Sequence, residues 1–274
     1  MALAFRVEPG KKVRLADLDP ASTGGLKRAD AAKDTAKQHD QLTDLQEMLY
    51  AAGDASVLIV LQGLDTAGKD GTITHVMGAF NPMGCRVESF KVPTPTEAAH
   101  DFLWRVHMAA PARGMIAIFN RSHYEDVLVT RVHKLAPKKV WERRFDRINQ
   151  FEALLTENGS IVLKFFLYIS KDEQRARLEA READRDKAWK LSSSDWPEHE
   201  LYDQYVEVYE EALSRCSTEH APWYIVPANH KWFRNLVVAR TIAEALEGRR
   251  KQWREAVEAR GAVQLAARKA AKKS

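Results

Sequence analysis

The sequence predicts an α/β protein with a parallel five-stranded sheet between two layers of helices, a three-layer α/β/α sandwich. Two observations support this fold class. Short runs rich in β-branched and aromatic residues alternate along the chain with stretches of helical periodicity, which is typical of right-handed βαβ units. Several of these runs are continuously apolar, as expected of strands that are buried on both faces of a sheet.

The elements are predicted in the following order. An amphipathic helix at about 31–52 comes first and is expected to pack on the main body through Leu42, Leu45, Met48 and Leu49. The strands are predicted at Ser56–Gln62, Cys85–Phe90, Met115–Phe119, Ile161–Ile169 and Trp223–Val226. Helices are predicted at about Asp70–Phe80, Thr96–Ala110, Lys138–Asn158, Lys171–Ala183, His199–Arg215 and Trp232–Arg260. No repeat or long linker divides the chain, so we expect 1–274 to form a single domain.

Composition excludes several classes of protein. The chain has 274 residues, of which 45% are hydrophobic, enough to fill a core. Neither end carries an apolar run of signal-peptide or membrane-span length, so we expect a cytoplasmic protein with no membrane partner. Cys85 and Cys216 stand far apart, which supports neither a disulfide framework nor a zinc site. The tail at about 249–274 is basic, and is either a solvated helix or a contact for a polyanion or partner.

A glycine-punctuated loop follows the first predicted strand. Gly63 to Lys69 match the first seven positions of the nucleotide-binding P-loop, G-x-x-x-x-G-K, but Asp70 stands where Ser or Thr is expected. The loop precedes a predicted helix, where backbone N–H groups can hold phosphate oxygens. The predicted phosphate-binding residues here are Gly63, Ala67, Gly68, Lys69, Asp70, Gly71 and Thr72.

Two carboxylates within a phosphate-binding loop call for a cation. Asp65 and Asp70 would repel a phosphate ligand unless a positive ion lay between them. Mg²⁺ binds one or two carboxylates together with phosphate oxygens and water, so we expect Mg²⁺, with Mn²⁺ as an alternative, and Asp65 as its ligand. Asp70 either takes part in the metal site or caps the following helix.

A second cluster of polar residues follows the third predicted strand. The segment reads FNRSHYEDVLVTRV, from Phe119 to Val132. The ends of parallel strands share one edge of the sheet, so Asn120, Arg121, Glu125 and Asp126 are expected near the phosphate loop. Arg121 is the natural partner for phosphate charge.

From about Lys33 to Arg249, the chain resembles the polyphosphate kinase 2 family. Four motifs carry the resemblance: GLDTAGKDGT, FNPMGCRVESFKVPT, ARGMIAIFNRSHYEDVLVTRVHKL and DRDKAWKLSSSDW. The resemblance implies a P-loop kinase-like fold with a helical lid, and phosphoryl transfer between inorganic polyphosphate and nucleotides. Asn120-Arg121-Ser122, in place of the D-R-S of many members, resembles the third class, which accepts nucleoside mono- and diphosphates. The resemblance also implies a homo-oligomer, and we expect a preference for adenine.

The resemblance also suggests roles for individual residues. Asp65, Lys69 and Arg121 would be catalytic, and Asn120, Ser122, Glu125 and Arg131 would bind the nucleotide. The lid would lie at about 178–196 and bring Arg181, Lys187 and Lys190 to the phosphates. Without the resemblance, the same stretch is better interpreted as a solvated helix with ion pairs between successive turns.

Other functions fit parts of the sequence. An ATP-dependent nucleotide or small-molecule kinase would share the fold but ignore polyphosphate. A regulatory nucleotide-binding module is disfavoured because the chain lacks an N-K-x-D base-recognition motif. The basic stretch at 137–147 is either part of a track for a polyanion or an ion-paired surface helix. We expect no specific nucleic-acid partner, although binding through the basic tail would give steep salt dependence.

Overall fold

The computed structural model describes residues 3–272, which form a six-stranded sheet with helices on both faces. The strands are β1 (Phe5–Arg6), β2 (Ser56–Gln62), β3 (Cys85–Ser89), β4 (Ile116–Asn120), β5 (Ser160–Tyr168) and β6 (Trp223–Pro227). Their order across the sheet is β1-β6-β5-β2-β4-β3. Strands β2 to β6 pair in parallel, which confirms the five predicted strands, and β2 lies at the centre between β5 and β4.

The sheet has six strands instead of the five predicted, because β1 adds an antiparallel strand at one edge. Phe5 pairs with Ile225 and Arg6 with Tyr224, antiparallel to β6. Two exposed residues are too few to show a strand periodicity in the sequence. The strand exists because this segment reaches the free edge of β6, a long-range pairing that a local pattern does not encode.

The α-helices are α1 (Arg28–Ala52), α2 (Lys69–His75), α3 (Pro95–Ala98), α4 (Trp104–Ala109), α5 (Val129–Val132), α6 (Lys138–Glu157), α7 (Lys171–Ala183), α8 (Asp195–Glu200), α9 (Tyr202–Arg215), α10 (Lys231–Glu247) and α11 (Arg250–Ala271). Short 3₁₀ turns occur at Leu15–Asp17, Met77–Ala79, Pro82–Gly84, His123–Asp126 and Ala188–Lys190.

Alternate residues of the central strands enter two separate apolar cores. On β2, Leu58 and Val60 face the core that contains residues of α6 and α9. Val57 and Ile59 face the opposite core, with residues of α1 and α10. All four side chains are fully buried. A strand buried on both faces has no polar side to present, which explains the continuous apolar run and confirms the three-layer architecture.

Two long predicted helices are interrupted. The prediction of one helix over Thr96–Ala110 is wrong, because α3 and α4 are separated by residues 99–103, where the Asp101 carboxylate accepts a hydrogen bond from the N–H of Leu103. The prediction of one helix over Trp232–Arg260 is also wrong. The chain turns at Gly248 between α10 and α11, and this turn allows Trp253 to be fully buried.

Two other predicted helices differ at one end. The helix expected over Asp70–Phe80 is α2, which ends at His75 and is followed by the 3₁₀ turn Met77–Ala79. The segment expected as one helix over His199–Arg215 contains the end of α8 and all of α9, with a break at Leu201.

Both predicted terminal segments are helical. Leu42, Leu45 and Leu49 on α1 are fully buried, as their spacing predicts. In α11, Arg260 donates a hydrogen bond of 2.6 Å to the carbonyl of Ala51. Residues 273–274 of the predicted basic tail, and residues 1–2 of the predicted domain, lie outside the described residues. Within 3–272, no helix combines the length and apolar character needed to cross a bilayer.

Candidate active site

The phosphate loop connects the carboxyl end of β2 to α2. Gly68, which immediately precedes α2, has φ +102°, a conformation that a side chain disfavours. The turn folds Lys69 back over the loop, so that its Nζ donates hydrogen bonds of 2.7 Å to the carbonyl of Gly63 and 3.2 Å to that of Leu64. Lys69 is only 8% exposed. The loop therefore holds the buried ammonium of Lys69 at the edge of the sheet.

Lys69 has an unusual pKa. Burial, followed by the positive charge of Arg121, lowers the pKa of the Lys69 ammonium to about 8. The carboxylates of Asp65, Glu125 and Asp70 act in the opposite direction and raise it. A cation that is costly to bury is stabilised by an anionic ligand, so the site favours phosphate.

Arg121 joins the second motif to the phosphate loop. It follows β4 directly and has φ +63°, which is uncommon for a residue with a side chain and is found preferentially at functional sites. Its Nη2 donates a hydrogen bond of 2.7 Å to Oδ1 of Asp65, and its Nη1 lies 3.5 Å from Oε2 of Glu125. Burial raises the pKa of Glu125, whereas Arg121 and Lys69 lower it. The pKa of Arg121 is raised, because Glu125 and Asp65 outweigh the lowering effect of its own burial.

Asp70 contacts the second motif and the predicted lid. Its Oδ1 accepts a hydrogen bond of 2.9 Å from Nδ2 of Asn120, and its Oδ2 lies 3.9 Å from Nζ of Lys190. No side chain caps α2, so the helix-cap alternative for Asp70 is not supported. Its carboxylate instead faces the cavity described next.

A wide basic cavity of about 1070 Å³ opens above the phosphate loop. Among the residues that line it, eight are Lys or Arg and three are Asp. The basic residues are Lys69, Arg121, Arg177, Arg181, Lys187, Lys190, Lys231 and Arg234. Some of them have acidic neighbours: Arg181 lies 3.4 Å from Asp195, and Lys187 pairs with Asp184. The excess of positive charge makes this cavity suited to an extended polyanion.

A smaller cavity of about 280 Å³ lies on the other side of Arg121. Apolar and aromatic side chains form much of its wall, namely Leu64, Val92, Leu128, Val129, Tyr205 and Tyr209. Gly63 and Glu125 also line it. Asp65 and Arg121 line both cavities, so the two spaces meet at this ion pair.

Four predicted site residues do not line either cavity. Thr72 is buried, and its hydroxyl donates to the carbonyl of Gly68. Ala67 is fully buried beneath the loop. The buried Ser122 hydroxyl accepts hydrogen bonds from Nε2 of Gln62 and the N–H of Tyr124. Arg131 forms an ion pair of 2.7 Å with Glu211. These residues shape the surroundings of the site, and the structure does not bring their side chains to it.

The basic stretch at 137–147, one of whose interpretations was a track for a polyanion, also lies apart from the wide cavity. No residue of this stretch lines it. Arg144 of this stretch pairs instead with Asp126, which lies outside the stretch, at 3.0 Å.

Other lining residues had no place in the sequence prediction. Lys231, Trp232, Arg234 and Asn235 at the start of α10 line the wide cavity, and Gln174, Tyr205 and Tyr209 line the smaller one. The position of the first group in the sequence could have identified it. These residues follow β6, and the carboxyl ends of parallel strands lie at the same edge of a sheet. The second group comes from helices whose approach depends on the order of the strands.

Comparison with known proteins agrees with this geometry. The family model described as polyphosphate kinase 2 matches residues 25–254. A Meiothermus ruber protein named AMP/ADP-polyphosphate phosphotransferase is 49% identical over 247 residues, covering 89% of this chain and 92% of the relative. A Rhodopseudomonas palustris ADP-polyphosphate phosphotransferase is 44% identical, covering 81% of each chain.

Solved structures give the same result. The crystal structure of polyphosphate kinase 2 from Arthrobacter aurescens TC1 superposes with a TM-score of 0.85 at 42% identity, covering 90% of this chain and 92% of that one. The family match spans both the phosphate loop and the start of α10, so it includes the basic cavity and the smaller one. The chain therefore belongs to the polyphosphate kinase 2 family.

Proposed function

We propose that the protein transfers the terminal phosphoryl group of inorganic polyphosphate to AMP and ADP, giving ADP and ATP. One observation carries the proposal: the wide basic cavity and the smaller cavity, whose wall is partly aromatic, meet at the Asp65–Arg121 pair beside Lys69. Phosphoryl transfer requires a donor and an acceptor to approach in line at one point where charge is neutralised. Two relatives with high identity are named for the same reaction, one with AMP and ADP and one with ADP.

The donor is assigned to the wide cavity. A polyphosphate chain carries negative charge along its length, and this cavity is lined by eight Lys and Arg residues and three Asp residues. Two of the basic residues, Arg177 and Lys187, also pair with carboxylates outside the lining, so the excess of positive charge is smaller than the lining alone suggests. Arg181, Lys187 and Lys190 belong to the segment predicted as a lid, and all three line the cavity. We propose that this segment closes over the donor.

The acceptor is assigned to the smaller cavity. Tyr205 and Tyr209 offer flat apolar surfaces to a nucleoside, with adenine as the proposed preference. Glu125 lines this cavity beside Arg121, where we place the acceptor phosphate. The terminal oxygens of a nucleotide phosphate are largely ionised near neutral pH, since their second pKa is about 6. The acceptor therefore needs no general base, and none is assigned.

Magnesium fits the carboxylates present. Within residues 3–272, no group of three or more His, Cys, Asp or Glu side chains is arranged to hold a metal by itself. Mg²⁺ does not need such a cage, because it binds one or two carboxylates and takes further ligands from substrate phosphates. Asp65 and Asp70 both line the wide cavity beside Lys69 and are the residues that would hold it, or Mn²⁺ in its place. When bound, the ion would supply positive charge between phosphate oxygens.

The protein's own groups account for the remaining requirements. Lys69 and the loop backbone position the transferred phosphoryl group, while Arg121 stabilises the negative charge shared between donor and acceptor. Arg121 can do so because its pairs with Asp65 and Glu125 hold the guanidinium at the boundary of the two cavities.

A donor comparison tests this proposal against an ATP-dependent kinase. AMP is incubated with magnesium and either long-chain polyphosphate or ATP, and ADP formation is followed for the wild-type protein and for Lys69→Ala. The proposal is supported if the wild-type protein forms ADP with polyphosphate as the donor and the Lys69→Ala variant does not. If the wild-type protein forms ADP from AMP with ATP as the donor but not with polyphosphate, the proposal is overturned in favour of an ATP-dependent kinase. The homo-oligomer and the cytoplasmic location are further proposals, tested by light scattering and by cell fractionation.

A further inference from the structure

Arg234, on the first turn of α10, lies directly beneath the phosphate loop. It is 2% exposed, and its Nη1 donates a hydrogen bond of 3.2 Å to the carbonyl of Ala67. The Asn235 side chain fixes the other side of the guanidinium, since its Oδ1 accepts from Nη2 at 2.8 Å and from Nε at 3.1 Å. The planar group is thus held from two directions.

The guanidinium occupies space that side chains would otherwise fill. A Cβ atom built at Gly68 would lie 1.7 Å from Nη1 of Arg234, and one built at Gly71 would lie 3.0 Å from Nη2. Gly68 also has φ +102°, so two constraints specify glycine there. Gly71 lies in α2 with no positive φ, so Arg234 is the constraint that opposes a side chain at this position.

Arg234 also brings positive charge to the base of the loop. Burial and the nearby Arg177 lower its pKa to about 10, which still leaves the guanidinium protonated at neutral pH. Its hydrogen-bond acceptors are a carbonyl and an amide, and no carboxylate contributes to its pKa. Arg177 bonds to the carbonyls of Thr66 and Ala67 but pairs with Glu173, so it differs from Arg234.

We propose that Arg234 is a positioning residue of the phosphate loop: it fixes the backbone from Ala67 to Gly71 and holds, beside the polyphosphate donor, a charge that has no ion-pair partner among residues 3–272. The part that concerns the donor rests on the proposed function. The part that concerns the loop rests only on the packing of the guanidinium against Gly68 and Gly71.

Kinetics of Arg234→Met and Arg234→Lys test the positioning role. Both variants should fold, and we expect kcat to fall by at least about 10-fold, because removal of a preorganised group at a charge-stabilising site typically costs more than this. KM for polyphosphate should change by less than about 3-fold, since seven other Lys and Arg residues still line the cavity. Wild-type kcat in either variant, or a large KM change with kcat intact, would overturn the proposal.

Glycine substitutions test the packing independently. Gly71→Ala should lower both the melting temperature and kcat, although alanine is the better helix former. Gly261→Ala is the matched control, because it also lies in a helix but a Cβ there meets nothing within 4 Å. In an Arg234→Ala background, Gly71→Ala should cause no further loss in either quantity.

The inference would be overturned if Gly71→Ala and Arg234→Ala lowered the melting temperature and kcat additively. It would also be overturned if Gly71→Ala and Gly261→Ala changed the melting temperature and kcat equally. The melting temperatures test the packing of Arg234 independently of whether the protein uses polyphosphate. If the wild-type protein proved inactive with polyphosphate, the coupling between positions 71 and 234 would still be measurable by thermal unfolding.

Discussion

Arg121 donates a hydrogen bond of 2.7 Å from Nη2 to Oδ1 of Asp65, and this contact joins the end of β4 to the phosphate loop after β2. Both residues line the wide basic cavity and the smaller one. The two cavities therefore meet where two parallel strands end side by side, and we propose that this charge pair marks the boundary between donor and acceptor.

Removal of the Arg121 guanidinium should abolish most activity. We expect Arg121→Ala to lower kcat by at least about 100-fold, the usual effect of deleting a group that stabilises transition-state charge. The melting temperature should change little, because the side chain is partly exposed. Arg113→Ala, at an exposed arginine, is the control. Wild-type turnover in Arg121→Ala would show that the site is wrongly assigned.

Neutralising Asp65 should change the dependence on magnesium. Asp65→Asn keeps the shape of the side chain but removes the charge that we assign to metal binding. We expect a higher magnesium concentration for half-maximal rate, together with a lower maximal rate. Asp146→Asn, on an exposed face of α6, controls for the change in net charge. An unchanged magnesium dependence in Asp65→Asn would contradict the metal role.

The lowered pKa of Lys69 predicts an alkaline limit to activity. Below a pH of about 8 the ammonium is protonated and attracts phosphate, and above that value it loses both proton and charge. Hence kcat/KM for polyphosphate should decline as pH rises through about 8 in the free enzyme. Bound phosphate raises the pKa, so the decline in kcat should lie at higher pH.

Lys69→Arg provides the control for this pH dependence. Arginine stays protonated throughout the accessible range, so whatever activity remains should lack the alkaline decline. If Lys69→Arg shows the same decline as the wild-type protein, another group is responsible for it.

A buried ion pair beneath the second motif predicts a stability effect. Lys164 Nζ lies 2.5 Å from Oε2 of Glu152, and both side chains are fully buried. Lys164→Met would remove the lysine partner of Glu152 and leave its carboxylate with the side chains of Tyr124 and His123 alone. We expect a cost of about 3 kcal/mol in unfolding free energy, the lower end of the range for breaking a buried ion pair. Lys164→Met combined with Glu152→Gln should recover much of this loss. Urea unfolding measures both, and a double variant no more stable than Lys164→Met would contradict the explanation.

The strands that carry the site are predictable because their signal is local. β2 and β4 are short apolar runs, and each ends at a polar residue or glycine where the chain leaves the sheet. The rule that parallel strands end at one edge then places Arg121 near Lys69. The same reasoning does not identify which side chains face inward, and so Ser122 and Thr72 were assigned to a cavity that they do not line.

The residues that sequence reasoning missed depend on tertiary approach. The position of Arg234 after β6 places it at the edge of the sheet that carries the site, but its contact with the phosphate loop depends on how β6 and β5 place α10. The break at Gly248 is of the same kind, since burial of Trp253 decides where the chain turns. Sequence periodicity reports which face of an element is apolar, but it does not report which element covers that face.

The most direct measurement of the proposed reaction is a time course with AMP as the sole acceptor. The purified protein is mixed with magnesium, AMP and long-chain polyphosphate, and the nucleotides are separated at intervals. We expect ADP to appear first and ATP to follow as ADP accumulates, because one acceptor cavity serves both nucleotides. No ADP or ATP under these conditions, with ADP formed when ATP and AMP are mixed instead, would contradict polyphosphate as the donor.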